Sequence, residues 1–306
     1  MNLSKHQLAV LSLITANVIW GASFPIYKWS LQNIPPFTFV FLRFFLGAIL
    51  IFPFAVGKLH IKKHDRLKIF ISSTFGITLA ISFLFLGLRL APSINAPIIF
   101  SSSPAILLLV AFFYLKERPK KKIIIGTIIS LIGVVLIVIS PILEKGLGGA
   151  VYGNLFFILA ILCDIMSTVI IKKFIKDYST ITVVFWSFII GSLLLFPLVI
   201  YEAQQFSFLT QLTYQGLIGI SYGVLFAAVA AHLLFNYGIK YIKTSEIGIF
   251  SYVDPIATAT VATHLLGEAI TFYYLLGAIL VFAGIFIAER RIHYHPLHLL
   301  KKDRDD

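Results

Sequence analysis

The chain has 306 residues, of which 59% are hydrophobic and only 12% charged, and it carries a net charge of +12. An ordinary soluble domain is about 25% charged, so this much apolar surface excludes a water-soluble globule and requires lipid to cover it. The basic excess would suit nucleic acid, but its distribution along the chain assigns it elsewhere.

A bilayer core about 30 Å thick takes roughly 20 helical residues to cross. Ten apolar stretches of that size follow one another, predicted at Leu8 to Tyr27, Phe37 to Gly57, Ile69 to Leu88, Ile94 to Leu115, Ile123 to Leu143, Tyr152 to Lys172, Thr180 to Tyr201, Leu217 to Ile239, Glu246 to Gly267 and Phe272 to Ala288. The first follows a short basic start, yet its apolar run is longer than the roughly 7 to 15 residues of a secretory signal, so it is expected to be retained as a span. In the fifth and seventh, runs such as Ile123-Ile124-Ile125 and Leu193-Leu194-Leu195 do not alternate apolar with polar, which excludes a β-barrel. Cys163 in the sixth is the sole cysteine, which excludes an intrachain disulfide and a cysteine-based metal site.

The connections decide orientation. With the N-terminus in the cytoplasm, 21 of the 25 basic residues fall on the cytoplasmic side: Lys5, the clusters from Lys58 to Lys68, Lys116 to Lys122, Lys172 to Lys176 and Lys240 to Lys243, and the tail from Arg290. Only Lys28, Arg89 and Lys145 fall outside, and Arg43 lies within a span. This asymmetry places a multi-pass protein in the cell (inner) membrane with both termini cytoplasmic. The bilayer and its anionic headgroups, not nucleic acid, are the expected partners of the charge. The histidines His293, His295 and His298 of the tail read as solvated rather than as metal ligands.

The chain also repeats itself. At an offset of 144, Lys28, Thr38, Phe41, Gly47 and Pro53 recur as Lys172, Thr182, Phe185, Gly191 and Pro197. At an offset of 151, Gly87, Pro104, Glu117, Gly126 and Gly133 recur as Gly238, Pro255, Glu268, Gly277 and Gly284. Residues 1–150 and 151–290 are therefore read as two five-helix repeats, followed by a basic cytoplasmic tail at 291–306. An odd number of spans per repeat turns the second copy upside down. Inverted repeats of this kind support alternating access to a midplane site, the working principle of a carrier rather than a channel.

Three groups of residues resemble a known family: Trp20-Gly21-Ala22-Ser23-Phe24 in the first span, Arg43 in the second, and the paired segments Ser103-Pro104 through Lys116-Glu117-Arg118 and Asp254-Pro255 through Gly267-Glu268. They resemble the EamA-type family of the drug/metabolite transporter superfamily, over nearly the whole chain. The resemblance implies an all-α membrane protein of ten helices around a central cavity lined by both halves, moving metabolites such as amino acids. The sixth span departs from the pattern by carrying Asp164 where the first carries Trp20, so the halves of such a cavity differ chemically.

Polar residues deep in a membrane are costly and therefore informative. Counted from the span centres, Asp164 lies roughly 3 Å, Asp254 roughly 4 Å and His232 roughly 6 Å to the cytoplasmic side of the midplane. In one cavity, an aspartate could bind a substrate ammonium while another group, such as the imidazole, exchanges a coupling proton; the competing reading is a structural hydrogen-bond cluster. Trp20 and Phe24, one turn apart on one helix face, could stack on a substrate ring or receive its cation, or simply pack helices. Asn17, Ser167 and Tyr252 complete the substrate-binding candidates, with Ser101, Ser102, Ser103 and Asn236 behind them. Pro104 and Pro255 are candidate hinge or gating positions, since a proline inside a span frees a backbone carbonyl, though a packing kink would also use them. Arg43 reads as a tie between helices, the glycines seven apart as points of close helix contact, and Glu117 and Glu268 as helix-end residues.

No glycine-rich phosphate loop, paired-histidine zinc motif or nucleophile elbow is present, and no cofactor is expected. Cationic or amine-bearing solutes fit the two acidic spans better than polyanions, which would need several basic groups. An amino acid and a larger cationic metabolite of the S-adenosylmethionine kind remain alternatives, as does an intramembrane enzyme using Asp164 and Asp254. A homodimer is compatible with all of these.

Overall fold

The computed structural model describes residues 4–103, 121–145, 148–172, 174, 177–205, 213–242 and 248–289, and only the backbone at Ile123, Lys145, Lys172, His232, Asn236, Ile239, Lys240, Gly248, Ile249, Ala288 and Glu289. Among the described residues all regular secondary structure is helical, in ten helical segments. We label these α1 (Lys5–Ser30), α2 (Pro36–Ala55), α3 (Lys63–Leu90), α4 (Asn95–Ser101), α5 (Lys121–Lys145), α6 (Gly149–Lys172) and α7 (Thr180–Gln205). Helix α8 runs from Tyr214–Ser221 through a π-helical stretch at Tyr222–Ala230 into Ala231–Tyr241; α9 is Val253–Leu266, entered through a 3-10 turn at Gly248–Tyr252; α10 is Phe272–Glu289.

Seven of these helices are long and apolar enough to cross a membrane, and α10 contributes a shorter apolar helix. The outer faces of the helices carry large exposed apolar side chains, among them Phe272 of α10 (72% exposed), Ile256 of α9 (68%) and Leu233 of α8 (63%). A water-facing monomer rarely shows so much apolar surface; the chain is a multi-pass membrane protein.

Local chemistry sets the ends. Helix α2 starts with proline at its first position, where no intrahelical N–H is needed. Helix α9 stops at Gly267, whose φ of 64° is the left-handed cap conformation that glycine adopts without strain.

By its internal contacts the chain forms two compact units, one of residues 1–25, 92–148 and 230–306 and the other of 26–91 and 149–229. In the first, α5 and α10 pack with almost no side chain between them: a Cβ on Gly133 would lie 2.6 Å from the Gly277 carbonyl oxygen, and one on Gly284 would lie 2.5 Å from that of Gly126. The order of these contacts makes the pair antiparallel, and the glycine spacing read from sequence marks its seam. In the second, α2 and α7 pair antiparallel through Phe41 on Phe196, Phe44 on Phe188 and Phe52 on Phe185, with ring centroids 4.9 to 5.9 Å apart. Helix α3 lies on α6, where a Cβ on Gly87 would meet the Phe157 ring at 2.5 Å.

Two departures from regular α-helix are absent from the sequence reading. The third and eighth helices each contain a π-helical stretch, at Thr74–Leu79 and Tyr222–Ala230. These are equivalent spans of the two repeats, and such wide turns are rare and tend to mark functional segments. In the ninth span the irregularity lies next to Pro255 and not at it. Pro255 occupies the first turn of α9, where its missing N–H costs little, and the discontinuity is the preceding change from 3-10 to α geometry. At the equivalent place in the first repeat, α4 ends in a turn at Ser102, just before Pro104, which lies outside the described residues.

Candidate substrate site

The first unit assembles six of the candidate residues: Asn17, Trp20 and Phe24 from α1, Tyr252 and Asp254 at the entry to α9, and the backbone of His232 in α8. The contact that brings α1 to α9 is Gly21. A Cβ there would fall 2.5 Å from the Asp254 carbonyl oxygen and 2.9 Å from the Ala257 Cβ, so only glycine lets the helices meet. Thr258 then bridges them, its hydroxyl within hydrogen-bond distance of the Gly21 carbonyl (2.7 Å) and the Asp254 carbonyl (2.8 Å).

Either side of Gly21 on α1 the rings turn to other helices. Trp20 packs on Phe235 of α8 with centroids 5.3 Å apart, and Phe24 on Phe100 of α4 at 6.3 Å. Tyr252 meets Phe282 of α10 edge-on at 5.5 Å. Asp254 sits in the first turn of α9, where the helix dipole favours an acidic side chain. Its Oδ1 is buried with no hydrogen-bond partner among the described residues. A buried acceptor left without a donor is costly unless something supplies one. Asn17, by contrast, is committed: it is 2% exposed and its side-chain amide donates to the Leu13 carbonyl at 2.8 Å.

The second unit holds Asp164 and Ser167 on α6. Asp164 is exposed, whereas the Ser167 hydroxyl is buried and donates to the Ser72 carbonyl of α3 at 2.8 Å. Gly76 provides the room, since a Cβ there would sit 2.4 Å from the Ser167 Oγ. Arg43 is 8% exposed, with its guanidinium carbon 4.8 Å from the centre of the Tyr27 ring and 4.9 Å from that of Phe44. The two aromatic faces stabilise the cation. Gly223, in the π-helical stretch of α8, clears space for the Arg43 side chain, as a Cβ there would lie 3.3 Å from its Cδ.

Glutamates tie distant segments together. The Glu268 carboxylate accepts from the Ser93 N–H (2.8 Å), the Ser93 hydroxyl (2.9 Å) and the Ile94 N–H (3.1 Å) at the entry to α4. The Glu202 carboxylate does the same for α2, accepting from Phe37 N–H, Thr38 N–H and the Thr38 hydroxyl at 2.7 to 3.1 Å. Both cap helix starts with charge-assisted bonds. Helix-end placement was legible for Glu268; the capping role of Glu202, and the contacts of Phe100, Phe235 and Thr258, had no sequence signal beyond residue type. Ser101, Ser102 and Ser103 each donate to a carbonyl of their own helix. No metal-binding cluster of His, Cys, Asp or Glu occurs among the described residues.

The sequence profile of the EamA-like transporter family matches this chain twice, at residues 7–139 and 151–289. The chain belongs to the EamA-like transporter family. Each match covers one of the two repeats read from the sequence. It is similar to an uncharacterized transporter of Archaeoglobus fulgidus, 25% identical over 96% of this chain and 100% of that one. It is also similar to the uncharacterized transporters YetK and YyaM of Bacillus subtilis, 26% and 25% identical over 92% and 93% of this chain and 87% and 94% of theirs. A solved crystal structure shares the fold with a TM-score of 0.62 at 19% identity, over 94% of this chain and 98% of that one. The protein is thus a membrane transporter of small solutes and not an enzyme.

Proposed function

We propose that this EamA-like transporter is a secondary carrier for an amine-bearing metabolite, an amino acid or a close relative, working by alternating access between two inverted repeats. The observation that carries the reading is Asp254, a carboxylate with a buried oxygen that has no partner among the described residues. It belongs to the same unit as the rings of Trp20, Phe24 and Tyr252. An ammonium supplies the missing donor, and aromatic faces receive its charge. Asp164, exposed on α6, is the second carboxylate and the candidate for a coupling proton.

The pairing of equivalent helices supports inversion of the repeats. Helices α2 and α7 hold the same place in their repeats, as do α5 and α10, and each pair is antiparallel. The basic segments support a cell-membrane protein with cytoplasmic termini.

The test is counterflow with the purified protein in liposomes. We expect saturable exchange of amine-bearing solutes, with Asp254→Asn and Asp164→Asn each lowering the rate at least about tenfold, the scale of one charge-assisted bond. Both variants should accumulate and melt as the parent does, since neither removes a partner from a buried ion pair. Unimpaired exchange by both variants removes the aspartates from the mechanism. Exchange confined to larger cations would move the substrate class to the S-adenosylmethionine kind.

A further inference from the structure

A cavity of about 400 Å³ opens in the second unit, at one end of the helices, between the segment after α2, the first turns of α3 and the middle of α7. Its walls are of two kinds. Ile69, Phe70, Trp186 and Ile190 are apolar, and the one polar atom of the tryptophan is occupied, its Nε1–H donating to the Leu59 carbonyl at 2.9 Å. Arg66 and His60 supply the polar part, and both are exposed.

The neighbouring acids are already engaged. The Asp65 carboxylate accepts from Lys68 (2.7 Å) and the Tyr178 hydroxyl (2.7 Å) and lies 3.2 Å from His64, while Asp177 pairs with Lys62 at 3.2 Å. Arg66 has no carboxylate partner among the described residues, and Lys58 and Lys63 add exposed positive charge a few residues away. Phe70 (45% exposed) and Leu67 (67%) continue the apolar wall onto the outer surface. An unpaired guanidinium beside an apolar slot that continues onto an exposed apolar face matches one chemistry, an anionic head joined to a hydrocarbon chain. The offset of 144 carries residues 58–68 onto Glu202–Leu212, which contain no lysine or arginine, so only one repeat has the cations.

We infer that this cavity is a binding site for an anionic phospholipid, its phosphate on Arg66 and an acyl chain along Phe70, Trp186 and Ile190. The site shares no residue with the proposed substrate site and does not depend on which solute is carried.

Thermal unfolding of the delipidated full chain in detergent, with phosphatidylglycerol, phosphatidylcholine or inorganic phosphate added, tests it. Phosphatidylglycerol should raise the melting temperature and phosphatidylcholine should not. Arg66→Gln should require roughly tenfold more phosphatidylglycerol for the same shift, the loss of one charge-assisted contact. Ile190→Trp, which fills the slot, should weaken the response while leaving every cation in place. Lys121→Gln, an exposed cation on α5, should leave it unchanged. An equal response to phosphatidylcholine, a response reproduced by phosphate alone, or an equal loss in Lys121→Gln would each overturn the proposal.

Discussion

At the scale of single residues, Gly21 decides whether α1 can reach α9. The atoms facing its missing Cβ are backbone atoms of Asp254 and the Ala257 Cβ, which cannot rotate away. Gly21→Ala gains up to about 1 kcal/mol of helix propensity but must separate the helices, and overpacking of this kind costs about 1 to 3 kcal/mol. We expect a lowered melting temperature for Gly21→Ala and none for Gly148→Ala, where nothing lies within 4 Å. Equal stability of the two variants would show that the α1–α9 approach is not tight. The Trp20-Gly21 pair was legible in the sequence as a motif, but its meaning was not. Its partners, Phe235, Asp254 and Thr258, lie more than 200 residues away, and no local pattern reports which helices meet. Ser167 shows the same limit, since nothing near it in sequence reports that its hydroxyl donates to the Ser72 carbonyl.

At the scale of elements, apolar runs made the helices readable and left their irregularities invisible. A π-helical stretch has the composition of the helix around it, so Thr74–Leu79 and Tyr222–Ala230 carry no signature. The 3-10 entry to α9 likewise has no signature, since Pro255 marks the first turn of the α-helix and not the change of geometry before it. The start of α3 is pinned by chemistry that is testable outside the membrane. Lys68 first, and then the Tyr178 hydroxyl, hold the Asp65 carboxyl below its ordinary value of 3.8 by hydrogen bonding to its ionised form. A group whose value is depressed in the folded state contributes stability above its unfolded value and loses that contribution as pH falls through the folded one. Asp65→Asn should therefore melt below the parent at neutral pH, with the gap closing only as pH drops beneath about 4. A gap that stays constant into that range would show that the carboxylate's charge does not hold the turn.

At the scale of the whole molecule, the duplication was readable because glycine, proline and glutamate recur in order at fixed offsets, and the family profile matches the same two stretches. Their relative orientation is a matter of counting spans. The proposed five spans per repeat would put Lys62 and Lys121 on the same side as both termini, and Lys145 and Gln204 on the other. The positive charge agrees, since residues 58–68 and 116–122 are rich in lysine and arginine while 202–212 have none. If one predicted span failed to cross, every later loop would change sides, so a single late position reports on all the earlier ones. Gln204 is such a position: it is exposed near the end of α7 and follows seven predicted crossings. In a Cys163→Ala background, cysteines placed singly at 62, 121, 145 and 204 should divide cleanly in intact cells. We expect a membrane-impermeant maleimide to label 145 and 204 from outside and to reach 62 and 121 only after the membrane is opened. Position 204 reacting solely from the inside would mean an even number of crossings before it, and the inverted arrangement would fall together with the topology.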